Sequence, residues 1–166
     1  MILRKARPSE ANDIWVILQQ AIEQRRKDGS GQWQNGYPNE QVVQDDIAKG
    51  HAYVLADKDV IIAYAAIIFE REPAYDHIDG KWLSDGDYVV VHRVATSDAA
   101  KGRGVAATLF EMLENLCLEK KVYSIKVDTI HDNFRMMKLL DKLHYTYCGQ
   151  IFFQNAWCRA YEKVLH

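Results

Sequence analysis

The chain has 166 residues, 48% of them hydrophobic, with a formal net charge of −2. That length and apolar fraction suit one packed domain over residues 1–166 and exclude a disordered chain. The charge offers no basic face for nucleic acid, no stretch approaches the roughly 18 apolar residues of a membrane helix, and charge at Arg4 and Lys5 leaves too short an apolar run for a signal peptide.

Ile2 to Arg7 alternates loosely and predicts a first strand, stopped by Pro8-Ser9. Ile14, Ile17, Leu18, Ala21 and Ile22 fall on one face of a helix over Ser9 to Lys27. Asp28-Gly29-Ser30-Gly31 breaks it, and a loop with Trp33 and Tyr37 follows. Asn39 can cap a short second helix ending at Gly50. Strands are predicted at about 51–56 and 60–70, joined by Asp57-Lys58-Asp59, with the second apolar enough to be central. Residues 71–87 read as a long loop rich in Asp, Gly and aromatics. A strand over Asp87 to Thr96 leads through a small-residue loop into a helix with Ala106, Leu109, Phe110, Leu113, Leu116 and Cys117 on one face. Val122 to Thr129 is a strand and Asn133 to Leu143 a helix. Tyr147 to Phe153 and Trp157 to Val164 close the chain as a hairpin around Gln154-Asn155. The strand–loop–helix–strand at 88–129 is one parallel crossover inside a mostly antiparallel sheet.

Val94 to Ala106 is the most informative stretch. Two glycines and small residues at a helix start leave backbone N–H groups bare, and with the helix dipole they form an anion site suited to a pyrophosphate. Lys101 and Arg103 add positive charge.

Lys101-Gly102-Arg103-Gly104-Val105-Ala106 resembles the Gln/Arg-x-x-Gly-x-Gly/Ala cofactor motif of the GNAT (GCN5-related N-acetyltransferase) superfamily, with Lys in the first position as a departure. Val127 to Asn133, running on to Tyr145, is similar to the strand, Asn and helix that precede that family's last hairpin. The resemblance covers the whole chain in element order. It implies an α/β (α+β) fold with a mixed, mostly antiparallel six- to seven-stranded sheet, about four helices and a splayed central parallel strand pair. It implies acetyl-CoA as acyl donor. Backbone groups of Val94, Ala95 and Thr96 would pair with the pantetheine arm, the N–H groups of Gly102 to Ala106 would hold the pyrophosphate, and Asn133 would contact the cofactor near its thiol end.

Acyl transfer from a thioester requires a neutral amine, so a base must take its proton. His92, two residues before Val94, is the candidate base, because an ordinary imidazole is mostly neutral at pH 7. The aralkylamine branch of the family has a histidine at this spacing, with a second two residues earlier where this chain has Val90. The family's usual tyrosine donor is replaced by Leu140. Tyr145 lies nearby in sequence and is the remaining candidate acid.

The acceptor falls to the variable segments. Residues 70–87 hold six acids against Arg71 and Lys81, and with Tyr75, Trp82 and Tyr88 they suit an amine with an apolar body through charge and cation–π contact. Trp33 and Tyr37 would supply the opposite wall, since that loop borders the acceptor cleft in the family. The alternative readings of 70–87 as a solvated acidic loop and of His92 as strand filling stand beside these.

A dinucleotide fingerprint is half-matched at Gly102 to Ala107, with Asp128 downstream, but its third glycine is Ala107 and only one parallel unit is visible. His144-x-x-x-Cys148 has no further ligands to complete a metal site, so no metal is expected. Cys117, Cys148 and Cys158 are odd in number with no Cys-x-x-Cys spacing, which fits a reduced, cytoplasmic protein. The expectation is therefore a cytoplasmic acetyl-CoA-dependent N-acetyltransferase for a small cationic or aralkyl amine, with no nucleic-acid or membrane partner. A protein N-terminal or lysine acetyltransferase and a non-catalytic CoA-binding module are the alternatives. A homodimer through the edge of the last strand, near Trp157 to Val164, is compatible with the pattern.

Overall fold

The computed structural model describes residues 1–166. They form eight strands and four α-helices: β1 (Ile2–Lys5), α1 (Ala11–Lys27), α2 (Glu40–Ala48), β2 (Ala52–Asp57), β3 (Val60–Ile68), β4 (Asp79–Gly80), β5 (Val89–Thr96), α3 (Val105–Glu119), β6 (Ser124–Ile130), α4 (Phe134–Lys142), β7 (Thr146–Phe153) and β8 (Ala156–Val164). The sheet order is β1-β2-β3-β5-β6-β8-β7-β4. β5 and β6 run parallel, paired at Val89–Val91 against Ile125–Val127. By internal packing the chain divides into two compact units, Met1–Ile67 with Arg93–Met112, and Ile68–His92 with Leu113–His166.

In the first unit, Ile14, Ile17 and Leu18 of α1 and Val43 of α2 pack on Val54, Tyr64 and Ala95 of the strands. This is the apolar stripe the 3.6-residue period demands. Asn39 caps α2 by accepting from the Val42 N–H at 3.1 Å. Lys58 takes a left-handed φ of +57°, which lets the β2–β3 hairpin turn within two residues.

β1 is tied to the start of α1 by one carboxylate. Glu10 accepts two bonds from Arg4, both 2.8 Å, and a third from the Arg7 N–H at 2.7 Å. Bonding to Arg4 above all lowers the Glu10 carboxyl to about 2. A depressed carboxylate contributes stability above its unfolded value, lost as pH falls toward the folded one. Glu10→Gln is therefore expected to lower Tm at pH 6, with the gap from wild type closing between about pH 4.5 and about 2. A gap constant across that range in parallel melts would refute the assignment.

In the second unit the segment after β3 departs from the expected plain loop. Pro73–His77 forms a 3-10 turn, and Asp79–Gly80 pairs with β7 as an eighth strand. The six to seven strands expected become eight because two residues are too few to leave a periodic signature. The pairing depends on glycines at both partners. Gly80 (φ +142°) and Gly149 (φ +136°) face each other so closely that a Cβ at either would fall 2.1 or 2.2 Å from the opposite main-chain oxygen. The fully buried Glu162 holds the same segment, accepting from the Leu83 N–H (2.8 Å), from Ser84 Oγ and from Ser124 Oγ (2.7 Å).

The last strand is not an edge. β8 pairs with β6 on one side and β7 on the other, so the dimer contact expected along its edge has no free main-chain groups to use. No helix is long and apolar enough to cross a membrane.

Candidate active site

The glycine loop folds as its composition requires. After β5, Asp98–Ala100 makes a single 3-10 turn. Gly102 and Gly104 then take left-handed φ values of +79° and +67°, and α3 begins at Val105. Nothing lies within 4 Å of the position a Cβ would take at either glycine. Space over both is therefore open, and the first N–H groups of a 15-residue helix adjoin it. Lys101 is drawn to Asp98 (2.7 Å) and Gln24 (3.1 Å), and Arg103 to Asp57 (3.3 Å). Both side chains are half-exposed, so these pairs are cheap to exchange for an anion.

Asn133 serves first as the N-cap of α4, its Oδ1 accepting from the Met136 N–H at 3.3 Å. That bond uses the oxygen and leaves the amide NH₂ group as a donor. Val94, Ala95 and Thr96 form the last residues of β5, as expected.

His92 lies on β5 at the point where the β5–β6 pairing ends. Its Nδ1 is 3.5 Å from Asp128 Oδ2, and both side chains are 9% exposed. Tyr75 Oη donates to the same Asp128 oxygen at 2.6 Å. The imidazole stacks on Phe153, with centroids 5.0 Å apart and planes 5° apart. Asp128 therefore orients the ring through one nitrogen. The sequence reading reached His92 but not this pairing, which follows from Val91 facing Val127 in the parallel register. Cys158 lies beside Asp128, where burial and then that carboxylate push its thiol up to about 12. It is not a thiolate at neutral pH.

Tyr75 was expected to face an amine. The structure buries it and gives its hydroxyl to Asp128. Trp82, the other expected wall, donates its indole N–H to the Tyr75 carbonyl at 2.8 Å. Its ring face is taken by the Lys126 ammonium, 4.3 Å from the centroid. The cation–π seat predicted for a substrate is thus occupied by the chain's own lysine. Tyr145 sits in a separate group, buried, with the Lys163 ammonium 5.9 Å from its ring centroid. Burial first, then Glu114 and Cys117, raise its phenol well above the ordinary range.

Trp33 packs against the helical core of the first unit, and Tyr37 accepts from Arg93 Nη1 at 2.7 Å. That bond belongs to a network with no sequence signature. Arg93, with a left-handed φ of +55° inside β5, donates from Nε (3.0 Å) and Nη2 (2.7 Å) to Asp46 of α2, which also accepts from Tyr64 Oη. Left-handed backbone at a non-glycine residue costs about 1–3 kcal/mol, and the bidentate pair offsets it.

The pattern of the acetyltransferase (GNAT) family matches residues 18–145. Among curated proteins, none matches the chain. A GNAT-family acetyltransferase from Streptococcus agalactiae is 37% identical, covering 99% of this chain and 95% of its own, with a TM-score of 0.90. A protein from Staphylococcus aureus described as an acetyltransferase is 24% identical over the full length of both chains, with a TM-score of 0.75. Another acetyltransferase-like structure, from Salmonella typhimurium with its cofactor acetyl-CoA, is 16% identical, covering 99% and 94%, with a TM-score of 0.68. The glycine loop, the parallel β5–β6 pair and a relative alike from end to end converge: this chain belongs to the GNAT acetyltransferase family.

Proposed function

We propose that the chain transfers an acetyl group from acetyl-CoA to a primary amine, with His92 as the base. The observation that carries this reading is His92 held on Asp128, itself held by Tyr75, on the strand that runs into the glycine loop. The open space over Gly102 and Gly104 fits a pyrophosphate, because a side chain at either position would fill it. In this reading the N–H groups of Gly102 to Ala106, with Lys101 and Arg103, hold the pyrophosphate. The β5 backbone at Val94, Ala95 and Thr96 pairs with the pantetheine arm, and the Asn133 amide donates near the thiol end. Acetyl-CoA supplies an acetyl thioester there.

His92 accepts the proton of the attacking amine, and Asp128 steadies the resulting imidazolium. Tyr75 fixes Asp128 through the 2.6 Å bond, so the carboxylate keeps its aim at the ring. A cationic or aralkyl amine remains the favoured acceptor class, because acids outnumber bases along 70–87.

Calorimetric titration with acetyl-CoA beside NAD and ATP tests the cofactor, and thiol release over a panel of amines tests the transfer. Selective acetyl-CoA binding with thiol release supports the reading; binding of NAD alone refutes it. Gly104→Glu is expected to weaken acetyl-CoA binding at least about a hundredfold by placing a carboxylate in the anion cradle. The added side chain enters open space, but the left-handed φ of +67° strains any residue other than glycine, so the variant's melt is expected below wild type and affinities are compared at a temperature where both are folded. Unchanged affinity would remove this loop from the cofactor site.

A further inference from the structure

Seven residues other than glycine take a left-handed φ, and six of them, Trp33, Lys58, Lys121, His144, Gln154 and Asn155, lie in turns, where the reversal of the chain accounts for it. The seventh, Arg93 at +55°, lies inside β5. Nothing in the residue type favours that conformation, since it is neither glycine nor Asn or Asp. A strained residue persists only where its surroundings over-determine it, and such residues cluster at ligand clamps.

The surroundings of Arg93 do so. Its Nε and Nη2 donate to the two oxygens of Asp46 on α2, at 3.0 and 2.7 Å, and its Nη1 donates to Tyr37 Oη at 2.7 Å. Tyr64 Oη on β3 donates to the same Asp46 oxygen that accepts from Nε. Burial first, and then the Asp46 carboxylate, raise the Tyr64 phenol above its ordinary value, so it remains a donor. Asp46 is 4% exposed and Tyr64 fully buried, so little water competes for these bonds. The guanidinium is fixed from a helix and a strand at once, and the backbone that carries it is fixed with it.

The next three residues, Val94, Ala95 and Thr96, are those that the acetyl-CoA reading gives to the pantetheine arm. Their far end is tied as well, the Ser97 N–H donating to the Ile62 carbonyl and the Asp98 N–H to Gln20 Oε1, each at 2.9 Å. A left-handed residue in a strand bends the chain out of the regular pleat and re-aims the groups that follow. The direction of the N–H and C=O groups at 94–96 is therefore set at one end by Arg93 and, through it, by Asp46 and Tyr64.

We propose that Asp46 and Tyr64 are positioning residues for the acyl donor: acting through Arg93, they hold Val94 to Thr96 in the main-chain conformation that pairs with a pantetheine arm. This rests on the acetyl-CoA reading above. In it neither side chain touches the cofactor, and loss of either leaves the glycine loop and its phosphate contacts in place.

Two ligands separate the halves of the cofactor site: acetyl-CoA, and adenosine 3′-phosphate 5′-diphosphate, which keeps the phosphates and lacks the pantetheine arm. In calorimetry on the full chain, below the melting range of every variant, Asp46→Asn is expected to weaken acetyl-CoA at least about tenfold and the nucleotide less than about twofold. A purely structural role would move both affinities together or neither. Tyr64→Phe is expected to show the same selectivity with a smaller loss, about threefold, and keeps the test open should Asp46→Asn not fold. Arg93→Gly added to Asp46→Asn is expected to recover at least about threefold in acetyl-CoA affinity, because glycine takes a left-handed φ without a partner to hold it. Equal weakening of both ligands, acetyl-CoA affinity unchanged in Asp46→Asn and Tyr64→Phe, or a double variant no better than Asp46→Asn would overturn the proposal while leaving the cofactor reading intact. Failure of the wild type to bind acetyl-CoA would overturn that reading, and this inference with it.

Discussion

His92→Ala is expected to lower kcat by about 10²- to 10³-fold while leaving acetyl-CoA affinity nearly unchanged, the range typical for loss of a positioned base. The imidazole is part of the second unit's buried face, whereas the anion cradle is made by main-chain groups of the loop, so binding and turnover separate. The wild-type rate is expected to rise with pH as the imidazole loses its proton, because only the neutral ring accepts one. In His92→Ala that limb disappears. Asp128→Asn provides the sharper control. It keeps the shape of the side chain but removes the charge that would steady the imidazolium formed in the step, so kcat is expected to fall while acetyl-CoA affinity stays nearly unchanged. Tyr75→Phe is expected to give a smaller loss, since it frees Asp128 without discharging it. The pH profiles are to be measured with the amine that gives the fastest thiol release. A rate within twofold of wild type in His92→Ala, with the limb intact, would dismiss His92 as the base.

Asp46→Ala is expected to cost about 3–5 kcal/mol of folding stability, the range found when one partner of a buried ion pair is removed. The magnitude follows from what stays behind. Arg93 would keep its charge with a side chain 11% exposed, and Tyr64 would lose its acceptor. The backbone of Arg93 would also lose the bonds that offset its left-handed φ. Asp46→Asn retains acceptor capacity and is expected to lose less. Removing both charges, in Asp46→Leu with Arg93→Met, is expected to cost less than the sum of the single changes, because no orphaned ion remains. Urea unfolding of wild type, Asp46→Leu, Arg93→Met and the double variant measures the coupling. A loss for Asp46→Ala below about 1 kcal/mol, as for exposed pairs, would show that water reaches the site.

Features that follow from local sequence were legible, and those that depend on register were not. The helices at 11–27 and 105–119 announce themselves through apolar periodicity. The turn into α3 is marked by Gly102 and Gly104, since only glycine takes left-handed φ there without cost. Asn39 and Asn133 are readable as caps because one side-chain oxygen does that work. His92 was reachable from its spacing to the loop. Asp128 was not, because its role depends on which residue of β6 faces β5, a fact of pairing between distant segments. The Arg93–Asp46–Tyr64 network is hidden for the same reason, its members lying 18 to 47 positions apart. Tyr75 and Trp82 were placed at a substrate wall on composition alone. Their burial and the Lys126 contact come from the 3-10 turn and the two-residue strand, which carry no period to detect.

The glycines at 80 and 149 bear on how this chain can drift through evolution. Each blocks a side chain at the other by main-chain atoms, so no compensating substitution across the pair restores the fit. The two positions are therefore expected to remain glycine together. A descendant that lost either would have to release Asp79–Gly80 from β7. The stretch beginning at Tyr75 would then be free to diverge, and the hydroxyl that now anchors Asp128 would be among the first contacts to go. A pair of glycines remote from the chemistry thus acts as a ratchet on it, since the Tyr75–Asp128 contact is held in place only while both remain.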